Sequence, residues 1–150
     1  SLGAINMNNL LHKITATQAG YGLTILRIVV GLIFAAHGAQ KLFGWFDGPG
    51  LAGVAGWLES LGMTPGYLLA LLSGSAEFFG GLALVIGLLV RPAAVALAFT
   101  MVVAIFSVHI GNGLFMSNNG YEFALTLLVA SLAILLEGAG KLSVDQQLAD

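Results

Sequence analysis

The sequence predicts an all-α integral membrane protein, a four-helix bundle with a short interfacial helix in its first outer loop. Composition is the first observation: of 150 residues, 58% are hydrophobic and 8% charged, whereas soluble domains average about 25% charged residues. Mean hydropathy is +0.96. The second observation is four apolar stretches, over about 22–44, 65–90, 92–110 and 121–136. About 20 helical residues, each rising ~1.5 Å, match a ~30 Å hydrocarbon core. The third is the presence of Arg27, His37, Lys41, Glu77 and His109 inside those stretches. A charge at helix-centre depth costs at least ~2.5 kcal/mol on insertion scales, so such residues usually face a protein interior and have partners.

The same composition excludes several classes of function. A net charge of −2 supplies no basic patch, which argues against nucleic acid as a partner. Cysteine is absent. A disulfide framework, a thiolate metal site and an in-chain thiol relay are therefore excluded, and such redox chemistry needs another subunit or a non-protein carrier. The first apolar span is too long for a signal-peptide core and reads as a retained membrane anchor. Met7 is a candidate native start.

In chain order, residues 7–21 form a polar lead-in on the cytoplasmic side with room for a short surface helix. The first spanning helix follows and ends in Phe43, Trp45 and Phe46, rings suited to the membrane–water boundary. Asp47-Gly-Pro-Gly50 is a turn. Residues 51–61 are too few to span, yet Leu51, Val54, Trp57, Leu58 and Leu61 recur at helical spacing, which predicts a helix in the interface, a candidate lid over the helix ends. Thr64-Pro65 reads as an N-cap with proline at the first helical position. In the second span, Ser73, Glu77 and Gly80 share a small-residue face. Arg91-Pro92 is expected to break that helix with a minimal turn before the third span, which carries His109 near its far end. A Gly- and Asn-rich loop over 111–120 leads to the fourth, and a polar tail follows Lys141. Lys13, Arg91 and Lys141 fall on one side, with Lys41 opposite, so both termini are expected to be cytoplasmic and the first and third loops outside.

The polar residues form a constellation. At ~100° per residue, Arg27 and Lys41 lie about 40° apart on their helix, and His37 lies within about 80° of Arg27. Gly31 and Gly38 occupy the same sector, where small residues allow a second helix close approach. Glu77 sits ~18 Å into its helix at ~1.5 Å per residue, near the bilayer midplane. The expected arrangement is an Arg27–Glu77 pair below and a His37, Lys41, His109 and Glu122 cluster near the outer surface. Each residue also has a plainer reading. Arg27 can snorkel to headgroups, and Lys41 can anchor at the interface. The histidines can be satisfied at helix ends, and Glu77 can be a structural pair or neutral acid. Asn119 followed three positions later by Glu122 has the pattern of a helix-capping box. Taken together, these residues suggest a buried polar cavity opening outward. Histidine, lysine and a carboxylate can supply donors and a proton path to a quinone headgroup. Two histidines could also ligate haem axially or hold a metal, but without a recognisable third ligand the metal signal is weak.

Four blocks carry a resemblance: LRIVVGLIFAAHGAQKLFG, SGSAEFFGGLALVIGLLVRPAA, SVHIGNGLF and NNGYEFALTLLVASLAILLEGAGKLSVD. Their order resembles the DoxX family of small bacterial membrane proteins, over about 23–145. The resemblance implies a four-helix protein of the bacterial cytoplasmic (inner) membrane. It also implies links to thiosulfate:quinone oxidoreductase subunits, to the handling of hydroquinones or catechols, or to oxidative-stress complexes. Arg27, His37, Lys41, Glu77, His109 and Glu122 match its polar pattern without bringing catalytic roles. The leading expectation is a quinone- or quinol-interacting redox subunit that exchanges electrons with a membrane or soluble partner. In it His37, Glu77 and His109 do the chemistry, and Arg27, Lys41 and Glu122 serve binding. The resident cofactor is left open, with quinone a candidate and haem a weaker one. The alternatives are a non-enzymatic binder or transporter of small aromatic or lipid-like molecules, or a structural subunit of a larger complex. A homo-oligomer is compatible with each.

Overall fold

The computed structural model describes residues 6–16 and 20–149. Among the described residues, all regular structure is helical: α1 (Met7–Thr15), α2 (Gly22–Leu42), α3 (Gly50–Ser60), α4 (Gly66–Ile86), α5 (Val90–Ala104), α6 (Glu122–Glu137) and α7 (Val144–Ala149). α5 continues through a π turn at Ile105–His109 and a 3-10 turn at Ile110–Asn112. Three segments are long and apolar enough to cross a membrane: Gly22–Leu42, Gly66–Ile86 and Val90–Asn112. At 16 residues, α6 falls short of the ~20 that a straight crossing takes.

Small residues set the central contact. The buried residues of α4 are Gly66, Ala70, Gly74, Glu77, Gly81 and Leu84, spaced three or four apart as one stripe of a helix requires. This stripe meets the Gly31–Ala35–Gly38–Ala39 stripe of α2 in antiparallel register. A Cβ added at Gly31 would lie 2.6 Å from the Gly81 carbonyl oxygen, and one at Gly38 would strike the Phe78 backbone. Of the expected Ser73–Glu77–Gly80 face, Glu77 lies in this stripe, whereas Gly80 packs against Leu97 of α5, and Gly74 and Gly81 are the small residues that meet α2. Beside this seam, Val30 and Phe34 of α2, Leu84 of α4, Leu97 and Met101 of α5 and Leu127 and Ile134 of α6 build one apolar core.

The connections follow the sequence with two differences. The turn into α5 uses Gly87 (φ 75°) and Leu89 (φ 51°), with Arg91 and Pro92 already inside the first turn of α5. Proline is tolerated there because the first helical N–H groups have no intrahelical partner. At α4, Pro65 itself holds the cap position and no side chain caps the helix. The helix expected over 51–61 forms as α3, packing Val54, Ala55 and Leu58 on Ala70 in the first turns of α4. Trp57 and Leu61, expected on the same apolar face, point outward.

Because no side chain fits between α2 and α4 at Gly38, Gly38→Val is expected to cost about 2 kcal/mol or more. Gly56 lies on the open face of α3, where a methyl group in place of its hydrogen would meet nothing within 4 Å, so Gly56→Ala should be neutral or slightly stabilising. Reversible unfolding of both variants in mixed micelles measures the difference.

Candidate functional site

At one end of the α2–α4 seam, four of the predicted site residues gather around a cavity of about 240 Å³. α2 supplies His37 and Lys41, α4 supplies Glu77, and the π turn supplies His109. The walls are apolar and aromatic, including Phe34, Met101 and Phe123, and the loop before α6 adds Met116 and Gly120. α3 does not line it.

Lys41 Nζ donates to Glu77 Oε1 at 2.5 Å, with side-chain exposures of 29% and 3% respectively. The carboxylate is thus buried, while the lysine is partly exposed. Glu77 Oε2 is buried without a hydrogen-bond partner. His37 packs its ring against Phe123, with 5.8 Å between centroids. His109 Nδ1 lies 2.9 Å from the backbone carbonyl oxygen of Asn119. A carbonyl can only accept, so Nδ1 carries the proton, and in the neutral ring Nε2 is left as an acceptor. The same carbonyl accepts from Asn112 Nδ2 at 3.1 Å. π turns inside helices recur at functional sites, and here the departure from α geometry ends on His109.

Two expected placements differ. Arg27 does not pair with Glu77. Its Nη1 donates to the carbonyls of Leu84 (2.6 Å) and Val85 (3.1 Å), and its Nη2 to those of Lys141 (3.2 Å) and Leu142 (3.0 Å). The antiparallel register explains this, since it sets Arg27 beside the last turn of α4 and Lys41 beside Glu77. Arg27 is fully buried, so it does not snorkel either. Glu122 stands beside the cavity and does not line it. Its Oε1 accepts from Met116 N at 3.1 Å, and no side chain caps α6, so the expected capping box is replaced by a tie across the loop.

Two further features lay beyond the sequence pattern, one at the Arg27 end and one in the cavity walls. The tail after Lys141 folds back on the bundle: Thr24 Oγ1 donates to the Lys141 carbonyl at 2.8 Å, and Asp145 accepts from Leu89 N and Val90 N at 2.7 and 2.8 Å. An acid followed by no further apolar run is a weak signal for such a cap. The walls Phe34, Met101 and Phe123 read as ordinary core residues in sequence. Among the described residues there is no group of three or more His, Cys, Asp or Glu placed to hold a metal ion.

The DoxX family model matches residues 22–110, which include every cavity residue of α2, α4 and the π turn. The chain belongs to the DoxX family. It is 33% identical over 130 residues to an uncharacterized protein of Haemophilus influenzae, covering 85% of this chain and 90% of that one. It is 32% identical over 124 residues to CatD of Bacillus subtilis, named as a candidate oxidoreductase, covering 83% and 84%. It is 31% identical over 133 residues to the inner membrane protein YqjF of Escherichia coli, covering 85% and 92%. No solved structure matches the chain. This DoxX protein is thus a membrane protein in contact with the lipid bilayer.

Removing one partner of the Lys41–Glu77 pair leaves the other uncompensated. Lys41→Met is expected to cost about 2–3 kcal/mol, and adding Glu77→Gln should recover most of it. Unfolding midpoints of the two single variants and the double variant test this. At the other end, Arg27→Met removes the donors that hold the chain after Gly140. It should expose that tail to limited proteolysis while leaving the Lys41–Glu77 end unaffected.

Proposed function

We propose that this DoxX protein is a four-helix transmembrane bundle of the bacterial inner membrane that binds a quinone or quinol in the His37–Lys41–Glu77–His109 cavity, as a redox subunit. The observation that carries the reading is the convergence of two imidazoles and a lysine–carboxylate pair on one small, aromatic-walled space. α2, α4, α5 with its extension, and α6 would be the four spans, α6 completing the core from a shorter length. Lys141 and Arg91 lie at the Arg27 end, which favours that end, and with it both termini, on the cytoplasmic side. The cavity then opens outward.

Interconverting a quinone and its quinol moves two electrons and two protons. In this reading His109 Nε2 accepts a proton from the carrier, and Glu77 relays the other, with its unpartnered Oε2 as the receiving atom. Lys41 holds Glu77 in place in the role first expected of Arg27, and His37 contacts the ring beside Phe123. Electrons are exchanged with a membrane or soluble redox partner, because the chain has no cysteine and the carrier is the redox-active group. The relative named as a candidate oxidoreductase supports this direction.

Gently purified protein should carry extractable quinone without a redox-sensitive Soret band. A Soret band would instead make His37 and His109 haem ligands. Glu77→Gln should lower quinol-linked turnover ~100-fold and alter its pH profile. Unchanged turnover with an unchanged profile removes the relay. Flux of a small aromatic solute into liposomes without redox change would replace this reading with that of a transporter.

A further inference from the structure

α1 is set apart from the rest of the molecule. Its nine residues, MNNLLHKIT, bury none of their side chains in the described structure. Their chemistry is nevertheless sharply divided. At ~100° per residue, Met7, Leu10, Leu11 and Ile14 fall within an arc of about 100°, while Asn8, Asn9, His12 and Lys13 occupy the opposite side. Asn6 caps the helix, its side-chain oxygen accepting from Asn8 N at 3.0 Å.

A helix this short is marginal in water by itself, since isolated helices below ~12–15 residues do not repay the cost of nucleation. Packing among the described residues does not supply the missing stabilisation, because the apolar stripe lies open, with Met7 62% and Ile14 69% exposed. The tether limits what can cover it. Six residues, 16–21, separate Thr15 from Gly22, where the first span begins. Six residues reach at most ~22 Å at ~3.6 Å each, so the stripe cannot move far from the bilayer surface that α2 enters. His12 and Lys13 form the last turn and carry the basic character expected beside anionic headgroups.

We propose that α1 lies on the membrane surface as a lipid-binding arm, with Met7, Leu10, Leu11 and Ile14 sunk below the headgroups and Asn8, Asn9 and His12 in water. Lys13, next to the stripe's edge, reaches outward to lipid phosphates. The bilayer is favoured over a second copy of the chain or a soluble protein because the short tether keeps the stripe beside the membrane that α2 enters, and the last turn of α1 is basic. Its depth should be ~5–10 Å, as for other interfacial helices. This inference is independent of what the cavity binds.

The absence of native cysteine makes the test direct, since one introduced cysteine takes one label. Nitroxides at Leu11→Cys, Ile14→Cys, Asn8→Cys and Asn9→Cys are compared in nanodiscs of phosphatidylethanolamine and phosphatidylglycerol. Labels at Leu11 and Ile14 should collide several-fold more with oxygen than with a water-soluble nickel chelate, and labels at Asn8 and Asn9 the reverse. Replacing Leu10 and Ile14 together by Asp should shift a label at Leu11 into water, without unfolding a bundle in which α1 buries nothing. Four labels that all favour the nickel chelate would overturn the proposal by placing α1 in solution. Labels at Leu11 and Ile14 shielded from both reagents would overturn it by showing a protein surface over the stripe.

Discussion

Everything in the bundle depends on how closely α2 and α4 approach. Inside a bilayer no hydrophobic effect drives two apolar helices together, so contact must come from packing and hydrogen bonding. Gly31, Gly38, Gly74 and Gly81 remove the side chains that would hold the backbones apart. Once the seam closes, its antiparallel register is fixed by which residues are small. That register then decides the partners of every charge on α2: Arg27 meets Leu84 and Val85, and Lys41 meets Glu77. The glycine spacing is therefore an electrostatic instruction as well as a steric one.

The two cations of the seam are satisfied in different ways. Arg27 works through helix ends. The last four carbonyls of α4 have no intrahelical donor, and the end of a helix carries partial negative charge. Two of those carbonyls, with two more from the returning tail, give a guanidinium several acceptors without any carboxylate. Asp145 performs the inverse service at the next helix, accepting from the free N–H groups at the start of α5. This end of the molecule is tied by backbone dipoles, which suits a structural closure. At the other end Lys41 is paired with a single carboxylate whose second oxygen is open, and two imidazoles stand nearby. At this end an unpartnered carboxylate oxygen and two imidazoles border one apolar-walled space.

Much of this was legible in the sequence, and the reason is periodicity. Length and hydropathy marked four spans, of which three are long and apolar enough to cross and the fourth, α6, is shorter, and Gly31 and Gly38 on the sector of Arg27 and Lys41 marked the face that packs. The pairing was not legible. Arg27 and Glu77 look like natural partners when helices are read singly, because the register between two antiparallel helices depends on which glycines meet. Similarly, Asn119 and Glu122 have capping-box spacing, but Asn119 takes a left-handed conformation at φ 56° and its carbonyl serves His109. A local motif was overridden by a tertiary hydrogen bond. The return of the tail was also hidden, since Thr24 and Asp145 act across more than fifty residues on backbone groups that no side-chain pattern reveals.

The charge balance of the cavity bears on what it can hold. Lys41 and Glu77 are opposite in sign and joined at one oxygen, so together they present a dipole and little net field. A small oxyanion would gain scant attraction there and would lose its hydration against Phe34, Met101 and Phe123, a poor exchange in an apolar space. A neutral ring carrying a hydroxyl at its edge loses far less and can donate that hydroxyl to His109 Nε2. The space between α2, α4, α5 and α6 therefore suits a neutral, ring-shaped molecule better than a charged one.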